Sequence, residues 1–250
     1  MTASLLKDSI GGVLLDIEGT TTPISFVYDV LFPYARARVK DFLAAQIKDE
    51  GVRRDIIALY EENASDLQKG LNPPLLRDHT SEPQAESIAA YVHWLMDRDR
   101  KSTPLKSLQG KIWEAGYGAG ELRSQVFDDV PRALRRWREQ GKEIRIYSSG
   151  SVLAQKLLFA HTEAGDLTPF ISGYFDTHIG AKRDLQSYRR IAKEFNREPS
   201  EIVFISDVDA ELDAAREAGL ETLLCARAGN PAQSNRLAHA VIHSFDELFT

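Results

Sequence analysis

Residues Gly12 to Phe26 read GVLLDIEGTTTPISF. Four small or apolar residues lead directly into Asp16, and Glu18 follows two positions later. Two carboxylates so close together repel each other, and burying them costs free energy unless a positive charge lies between them. The pair is therefore either a solvated turn at the end of a strand or a set of ligands for a cation.

Short apolar runs like the one before Asp16 recur along the chain and predict the strands of a buried sheet. Five runs have this character: Val13–Asp16, Glu143–Tyr147, Ile202–Ser206, Glu221–Cys225 and Ala240–His243. Continuous rather than alternating apolar residues favour a sheet that is covered on both faces. In the second half, helical patterns separate the strands, at Pro131–Gln140, Val152–Ala160, Leu185–Phe195 and Ala210–Ala218. Strand–helix alternation predicts an α/β fold with a doubly wound parallel sheet.

Residues 23–128 interrupt this alternation, because they carry no convincing strand pattern. Amphipathic helices are predicted over Tyr34–Lys48, Val52–Lys69 and Pro83–Asp99, and the proline-rich segment Asn72–Pro83 is predicted to be a loop. We therefore predict an α/β core formed by residues 1–22 and 129–250, with an all-helical cap domain of residues 23–128 inserted into it. Helical modules inserted next to a strand end can act as lids.

Composition restricts the partners that this protein can have. The 250 residues carry a formal net charge of −6, which disfavours nucleic acid and anionic membranes. The single cysteine, Cys225, excludes an intrachain disulfide and a cysteine zinc cluster, and it fits a reducing compartment. We see neither a signal-peptide pattern nor an apolar stretch of about 20 residues, so we expect a soluble cytoplasmic protein.

Polar residues follow three of the predicted strands, at the edge where open α/β sheets bind ligands. The candidates that follow the strands are Asp16 and Glu18, Ser148 and Ser149, and Asp207. Lys182 is a further candidate, on a loop between the predicted strands Glu143–Tyr147 and Ile202–Ser206. Each alone has an ordinary structural explanation, such as a solvated acid or a helix cap. Together they suit Mg²⁺, which prefers carboxylate oxygens, and a phosphate, which hydroxyls, backbone N–H groups and lysine can hold. The combination predicts a phosphoryl-transfer site with a carboxylate nucleophile.

The order of these motifs, D-x-[DE]-G-T, then serine, lysine and aspartate, resembles the haloacid dehalogenase superfamily. Five longer segments resemble, more specifically, the enolase-phosphatase family of the methionine salvage pathway. In order they read LLDIEGTTTPISFVYDVLFPYA, DRKSTPLKSLQGKIW, IYSSGSVLAQKLLF, FDTHIGAKRDLQSYRRIA and FISDVDAELDAA. The resemblance covers nearly the whole chain.

This resemblance implies a substrate, a cofactor and roles for the candidate residues. The phosphorylated diketone 2,3-diketo-5-methylthiopentyl 1-phosphate would be enolised and then dephosphorylated to the acireductone, by a monomer with one Mg²⁺ per chain. Metal ligands would be Asp16, Glu18 and Asp207, and substrate-binding residues would be Ser148, Ser149 and Lys182. Asp16 would be the nucleophile and Glu18 the acid and base. Most superfamily phosphatases have a second aspartate in place of Glu18, and that acid usually offers its backbone carbonyl to the metal.

Two other functions remain open on the sequence alone. One is a different capped phosphatase of the same superfamily, acting on a sugar phosphate or a phosphonate, since a fold does not determine a substrate. The other is a non-enzymatic phospho-acceptor module, which also uses strand-end acids, a hydroxyl and a lysine. The long helical insertion and the early position of the acidic strand end argue against the second alternative.

Overall fold

The computed structural model describes residues 6–7, 9–76, 85–230 and 238–250. Its contacts divide the chain into two compact units, one formed by Met1–Val27 with Arg123–Thr250 and the other by Tyr28–Leu122. The helical unit is therefore shorter at both ends than the insertion of residues 23–128 that the sequence predicts.

The first unit is built on a parallel sheet of six strands in the described residues. These are β1 (Gly12–Leu15), β2 (Glu143–Tyr147), β3 (Gly173–Phe175), β4 (Ile202–Ser206), β5 (Glu221–Cys225) and β6 (Ala240–Ile242). Their order across the sheet is β3-β2-β1-β4-β5-β6. β1 lies in the interior of the sheet, with Leu15 opposite Ile146 of β2 and Ile205 of β4. The predicted parallel α/β sheet is confirmed.

The described part of the second unit contains four α-helices, α1 (Phe32–Gln46), α2 (Glu50–Gln68), α3 (Ala85–Met96) and α4 (Thr103–Gly118), after a π-helical segment at Phe26–Leu31. The sequence pattern does not predict α4, although Ser102 caps its N-terminus and a proline stands in its first turn. Both are start signals for a helix. Residues 77–84 lie outside the described residues, and they include parts of the predicted loop Asn72–Pro83 and of the predicted helix Pro83–Asp99.

In the described residues, four further α-helices belong to the first unit and cover both faces of its sheet. They are α5 (Asp129–Glu139), α6 (Val152–Ala160), α7 (Leu185–Phe195) and α8 (Asp209–Glu217). Val13 and Leu15 of β1 belong to a buried cluster with Trp137 of α5. Leu14, which points to the opposite face, belongs to a second cluster with Tyr188 of α7. The continuous apolar run of β1 is thus explained, because both of its faces are buried.

β3 is the strand that the sequence pattern does not predict. It has only three residues, all partly exposed, and it begins with Gly173 at the end of the sheet order. A segment of this length contains too few apolar positions for a period to be recognised.

Among the helices of the described residues, none combines the length and the hydropathy that crossing a bilayer requires.

Candidate active site

The acidic loop, residues 16–22, leaves the end of β1 and holds Asp16 in a fixed orientation. The Asp16 carboxylate is buried; its Oδ1 accepts a hydrogen bond of 2.7 Å from the backbone N–H of Ile17. Its Oδ2 accepts a hydrogen bond of 3.1 Å from Ser206 Oγ, at the end of β4. Thr21 Oγ1 donates to the Asp16 carbonyl at 3.1 Å. Glu18, two residues further on, is only partly buried.

Lys182 is the cation that the structure brings to Asp16. Its Nζ lies 2.7 Å from Asp16 Oδ1 and 2.6 Å from Glu211 Oε2, and its side chain is only 10% exposed. Burial disfavours the charged ammonium, but the carboxylates of Asp16 and Glu211 outweigh burial and raise the pKa of Lys182. Lys182 is therefore positively charged at neutral pH and lies beside the end of β1; its role in binding phosphate stays a prediction.

Hydroxyl groups hold the loop that carries Lys182. Tyr147, Ser187 and Tyr188 donate to the successive backbone carbonyls of residues 180–182, at 2.9, 2.8 and 2.6 Å respectively. Because the donors come from the end of β2 and from α7, the position of the ammonium group is set by the sheet and by the following helix. The sequence analysis does not single out these three residues, since a hydroxyl on a predicted helix or strand is usually structural.

Glu211 belongs to the same cluster but is absent from the residues that the sequence predicts for the site. It lies in the first turn of α8, where its Oε2 also accepts a hydrogen bond of 3.3 Å from Ser206 Oγ. Burial and the nearby charge of Asp16 raise the pKa of Glu211. The available signal was its spacing, four residues after Asp207, which is about one helical turn beyond a strand end.

Asp207 supplies a further buried carboxylate, just beyond the end of β4. Burial, together with the charge of Asp16, raises the pKa of Asp207 to about 7. The backbone of Gly19 adopts a φ of +70° and approaches the Asp207 carboxylate so closely that a Cβ there would overlap Oδ2. The acidic loop and the end of β4 are therefore packed against each other at this point.

The donor set around Asp16 fits a hard cation such as Mg²⁺. Asp16 and Asp207, which are buried, and Glu211, which is partly buried, bring three carboxylates together with Lys182. Burial, followed by the charge of Asp16, raises the pKa values of Asp207 and Glu211. Oxygen donors with excess negative charge are what Mg²⁺ prefers. In the described residues, no group of three or more His, Cys, Asp or Glu side chains is arranged to hold a metal ion by itself. Two side-chain carboxylates and a backbone carbonyl would form an oxygen donor set without a third acidic side chain.

The serines predicted to bind substrate follow β2. Ser148 is buried, and its Oγ accepts a hydrogen bond of 3.2 Å from the backbone N–H of Gly150, while Ser149 is exposed. Gln155 holds this turn, since its Nε2 donates at 2.8 Å to the carbonyls of Gly150 and Phe175. Because β2 pairs directly with β1, this turn emerges beside the acidic loop.

A model of the haloacid dehalogenase-like hydrolase family matches residues 10–219. The chain belongs to this family. The match includes the acidic loop, the turn after β2, Lys182, Asp207 and Glu211, so it covers every residue of the cluster described above. Phosphatases of this family are generally Mg²⁺-dependent.

Curated relatives narrow the family assignment to the enolase-phosphatases. A protein of Synechococcus elongatus named Enolase-phosphatase E1 is 52% identical over 97% of this chain and 99% of its own length. Proteins of the same name from Methylococcus capsulatus and Drosophila melanogaster are 49% and 47% identical, over 90% and 88% of this chain and 93% and 84% of their own lengths. The resemblance to enolase-phosphatases seen in the five sequence segments is thereby confirmed. The relatives favour an enzyme over a phospho-acceptor module.

Solved structures support the same fold. The Unknown transcript 4 protein of Saccharomyces cerevisiae superposes with a TM-score of 0.77 at 34% identity, covering 96% of this chain and all of that one. A structure described as a dehalogenase superposes with a TM-score of 0.55 at 16% identity, covering 97% of this chain and 96% of its own, and this likeness shows the fold alone.

Proposed function

We propose that this protein is a bifunctional enolase-phosphatase of methionine salvage. It converts 2,3-diketo-5-methylthiopentyl 1-phosphate, through its enol phosphate, to 1,2-dihydroxy-3-keto-5-methylthiopentene and phosphate. The observation that carries the phosphatase chemistry is the buried Asp16 carboxylate held 2.7 Å from Lys182 Nζ. The substrate is inferred from the name that the 52%-identical relative bears and from the resemblance of the five segments.

Asp16 is the nucleophile of the phosphatase step. One of its carboxylate oxygens attacks phosphorus and forms an aspartyl phosphate, while the bond between phosphorus and the ester oxygen breaks. The hydrogen bonds from Ile17 and Ser206 support this role, because they fix the carboxylate before the substrate arrives. A nucleophile that is already oriented loses little entropy in the reaction.

Glu18 is the general acid and the general base of the same step. Its carboxyl group donates a proton to the departing ester oxygen, and the carboxylate then takes a proton from the water that hydrolyses the aspartyl phosphate. Inorganic phosphate leaves, and Asp16 and Glu18 return to their starting states. The partial exposure of Glu18 supports this role, since the group exchanges protons with water while Asp16 stays buried.

One Mg²⁺ per chain would be held by side-chain oxygens of Asp16 and Asp207 and by Glu18, through its backbone carbonyl in the pattern usual for the superfamily. When bound, it supplies positive charge that offsets the repulsion between the phosphate dianion and Asp16. Lys182 alone is insufficient, because two carboxylates already share its charge. At about 4 Å and an effective dielectric constant of about 20, one unit charge contributes about 4 kcal/mol.

The test follows the two reactions separately with the purified diketone phosphate and Mg²⁺. Ultraviolet absorbance reports the enol, and a colorimetric assay reports phosphate. We expect Asp16→Ala to release no phosphate and to accumulate the enol phosphate if its remaining ligands still bind Mg²⁺. Asp213→Ala, which removes a carboxylate that is 54% exposed on α8, is the matched control and should behave like the wild type.

Three results would count against this proposal. Phosphate release by Asp16→Ala above a few per cent of the wild-type rate would remove Asp16 as the nucleophile. If Asp16→Ala binds Mg²⁺ but forms no enol, then Asp16 is needed for enolisation as well as for phosphate release, and the two steps do not use separate residues. A wild-type preference for sugar phosphates or phosphonates over the diketone phosphate would favour the alternative phosphatase of the same family.

The cellular setting is also part of the proposal. We propose that the enzyme works as a monomer, which the resemblance implies, and in the cytoplasm, a reducing compartment that suits the single free Cys225. Sedimentation velocity across a tenfold concentration range tests the monomer. A second species that grows with concentration would contradict it.

A further inference from the structure

We infer that the turn after β5, residues 226–230, is a positioning element for the acidic loop and thereby for the metal site. Two side chains of this turn, Arg227 and Asn230, donate hydrogen bonds to adjacent backbone carbonyls of the acidic loop, those of Thr20 and Gly19. The inference deepens the proposed function and rests on it for the activity measurement, but not for the metal-binding measurement.

Arg227 is the fixed end of this element. Its guanidinium is buried, and its Nε donates to the Thr20 carbonyl at 3.0 Å. Its Nη1 lies 2.6 Å from Asp129 Oδ2 at the start of α5, and the two side chains are only 4% and 6% exposed. The rings of Phe127 and Phe245 lie on the guanidinium, with centroids 4.5 and 4.6 Å from Cζ. The planar group is thereby held rigidly, as a lysine at this position could not be.

Asp129, the partner of Arg227, is held by further hydrogen bonds. Its Oδ2 also accepts hydrogen bonds from the backbone N–H of Phe245 at 2.6 Å and from Ser244 Oγ at 2.9 Å. Further hydrogen bonds help a buried ion pair to offset the cost of desolvation, and Asp129 Oδ2 has them, whereas Nη2 of Arg227 is buried without a hydrogen-bond partner among the described residues. The Thr20 carbonyl is therefore anchored to a network that joins the start of α5 to the segment after β6.

Asn230 is the end of the element that reaches the predicted metal ligands. Its Nδ2 donates to the Gly19 carbonyl at 2.8 Å and lies 3.4 Å from Asp207 Oδ2, which is a long hydrogen bond. A Cβ on Gly19 would meet Asp207 and Asn230 together. Asn230 thus lies where the acidic loop and Asp207 approach each other most closely.

These contacts set the peptide groups around Glu18. The N–H of Gly19 donates to the Thr22 carbonyl at 2.8 Å, which fixes the peptide group that contains the Glu18 carbonyl. Asn230 fixes the next peptide group along the chain, and Arg227 fixes the one after it. Three consecutive peptide groups are therefore held. Residues that orient ligands in this way typically change metal affinity or activity by about 10–100-fold when they are removed.

The experiment compares Asn230→Ala with the wild type in three measurements. Calorimetric titration of the substrate-free protein with Mg²⁺ gives the affinity, steady-state kinetics give kcat and KM, and thermal unfolding gives Tm. We expect Mg²⁺ affinity and kcat to fall about tenfold, with KM changed by less than about threefold, because the lost contacts orient metal ligands rather than the substrate. Asn230→Ser, whose hydroxyl is too short to reach Gly19, is expected to give the same result and replaces the alanine variant if that does not accumulate.

Asn63→Ala is the matched control. Asn63 also donates from Nδ2 to a backbone carbonyl, that of Pro74 at 2.9 Å, but in the helical unit. It should lower Tm while leaving Mg²⁺ affinity unchanged. Arg227→Lys keeps the charge beside Asp129 but loses the fork that also reaches Thr20, so we expect it to weaken Mg²⁺ binding as well.

A merely structural role for the turn would lower Tm and leave the other two quantities alone. Asn230→Ala with wild-type Mg²⁺ affinity and kcat, both within twofold, would overturn the inference, as would a wild type that binds no Mg²⁺. Failure of the wild type to convert the diketone phosphate would instead overturn the proposed function, and the Mg²⁺ affinities would still decide the role of the turn.

Discussion

Lys182 neutralises part of the negative charge of the acidic cluster when no substrate is bound. Its ammonium group is shared by Asp16 and Glu211, at 2.7 and 2.6 Å. An entering phosphate dianion has to draw on this charge in competition with the two carboxylates. Under the proposed function, Lys182 would therefore act on the free substrate and on the transition state alike.

We expect Lys182→Met to lower kcat and to raise KM, with kcat/KM falling about 100-fold or more, because a buried cation beside the reacting oxygens is lost. The measurement is steady-state phosphate release. Lys101→Met is the control, since Lys101 pairs with Asp99 at 2.9 Å but both side chains are exposed, at 72% and 86%. Exposed pairs of this kind contribute little. Wild-type kinetics for Lys182→Met would show that the ion pair with Asp16 has no role in the reaction.

Cys225 allows a prediction about reactivity. Burial raises the pKa of the Cys225 thiol to about 12, so the nucleophilic thiolate is scarce and shielded at about pH 8. We expect no reaction with a disulfide reagent in the native protein and one thiol per chain after unfolding in guanidinium. Rapid labelling of the folded protein would contradict the burial of β5.

At the scale of single residues, sequence reasoning finds the acids and the lysine but not their partners. Lys182 lies on a loop rather than at a strand end, and the structure brings its Nζ to 2.7 Å from Asp16 Oδ1. Glu211 and Arg227 escape prediction because an acid in a helix and an arginine after a strand are usually solvent-exposed. Their burial depends on packing between distant segments, which a sequence pattern does not encode.

At the scale of elements, the acidic loop depends on a glycine in a left-handed conformation. We expect Gly19→Ala to weaken Mg²⁺ binding and to destabilise the protein, because its Cβ would overlap the Asp207 carboxylate. Gly70→Ala is the control: Gly70 has a φ of +71° against +70° for Gly19, but a Cβ there would have no atom within 4 Å. The control should lose about 1 kcal/mol of unfolding free energy from backbone strain alone.

Chemical denaturation gives the free energy of unfolding of both glycine variants, and calorimetry gives their affinity for Mg²⁺. Equal losses of stability in the two variants, with unchanged Mg²⁺ binding, would show that the acidic loop adapts to the added methyl group. We expect Gly19→Ala to lose more free energy of unfolding than Gly70→Ala, and we expect only Gly19→Ala to bind Mg²⁺ more weakly.

Prediction at the scale of elements succeeds where an element buries a face. Strands β2, β4 and β5 and helices α6 and α7 have the bounds that the sequence predicts, because each carries an apolar run or face that packs into the core. β3 fails because three half-buried residues form no pattern. α4 fails for another reason, since its cap at Ser102 is a clear signal that hydrophobic periodicity alone does not use.

At the scale of the whole molecule, the sheet order predicts where the protein is most stable. β1 and β4 are neighbours in the interior of the sheet, each paired on both sides. We expect the backbone amides of Val13–Leu15 and Val203–Ile205 to exchange most slowly with deuterium, and those of β3 and β6 to exchange faster, because both lie at the ends of the sheet order. Mass spectrometry of peptic fragments measures this. Equal protection of all six strands would contradict the expectation.

The compact units of the structure have other bounds than the domains that the sequence pattern predicts. A long segment without strand pattern marks an insertion, yet the compact units separate at Val27 and Leu122 rather than at residues 22 and 128. Phe26 and Val27 are buried and belong to the first unit, although they are the first residues of the π-helical segment that runs on to Leu31. Local periodicity does not reveal to which core a terminal turn belongs.

The central place of β1 in the sheet has a consequence for synthesis on the ribosome. Gly12 pairs with Glu143, so the first strand is made about 130 residues before its earlier partner. At about 5–20 residues per second, the apolar segment Gly12–Leu15 waits about 7–26 s with no strand beside it. The helical unit is contiguous and is completed during that interval. During this interval β1 is available to aggregation and to chaperones, and the interval ends when β2 leaves the exit tunnel and can pair with it.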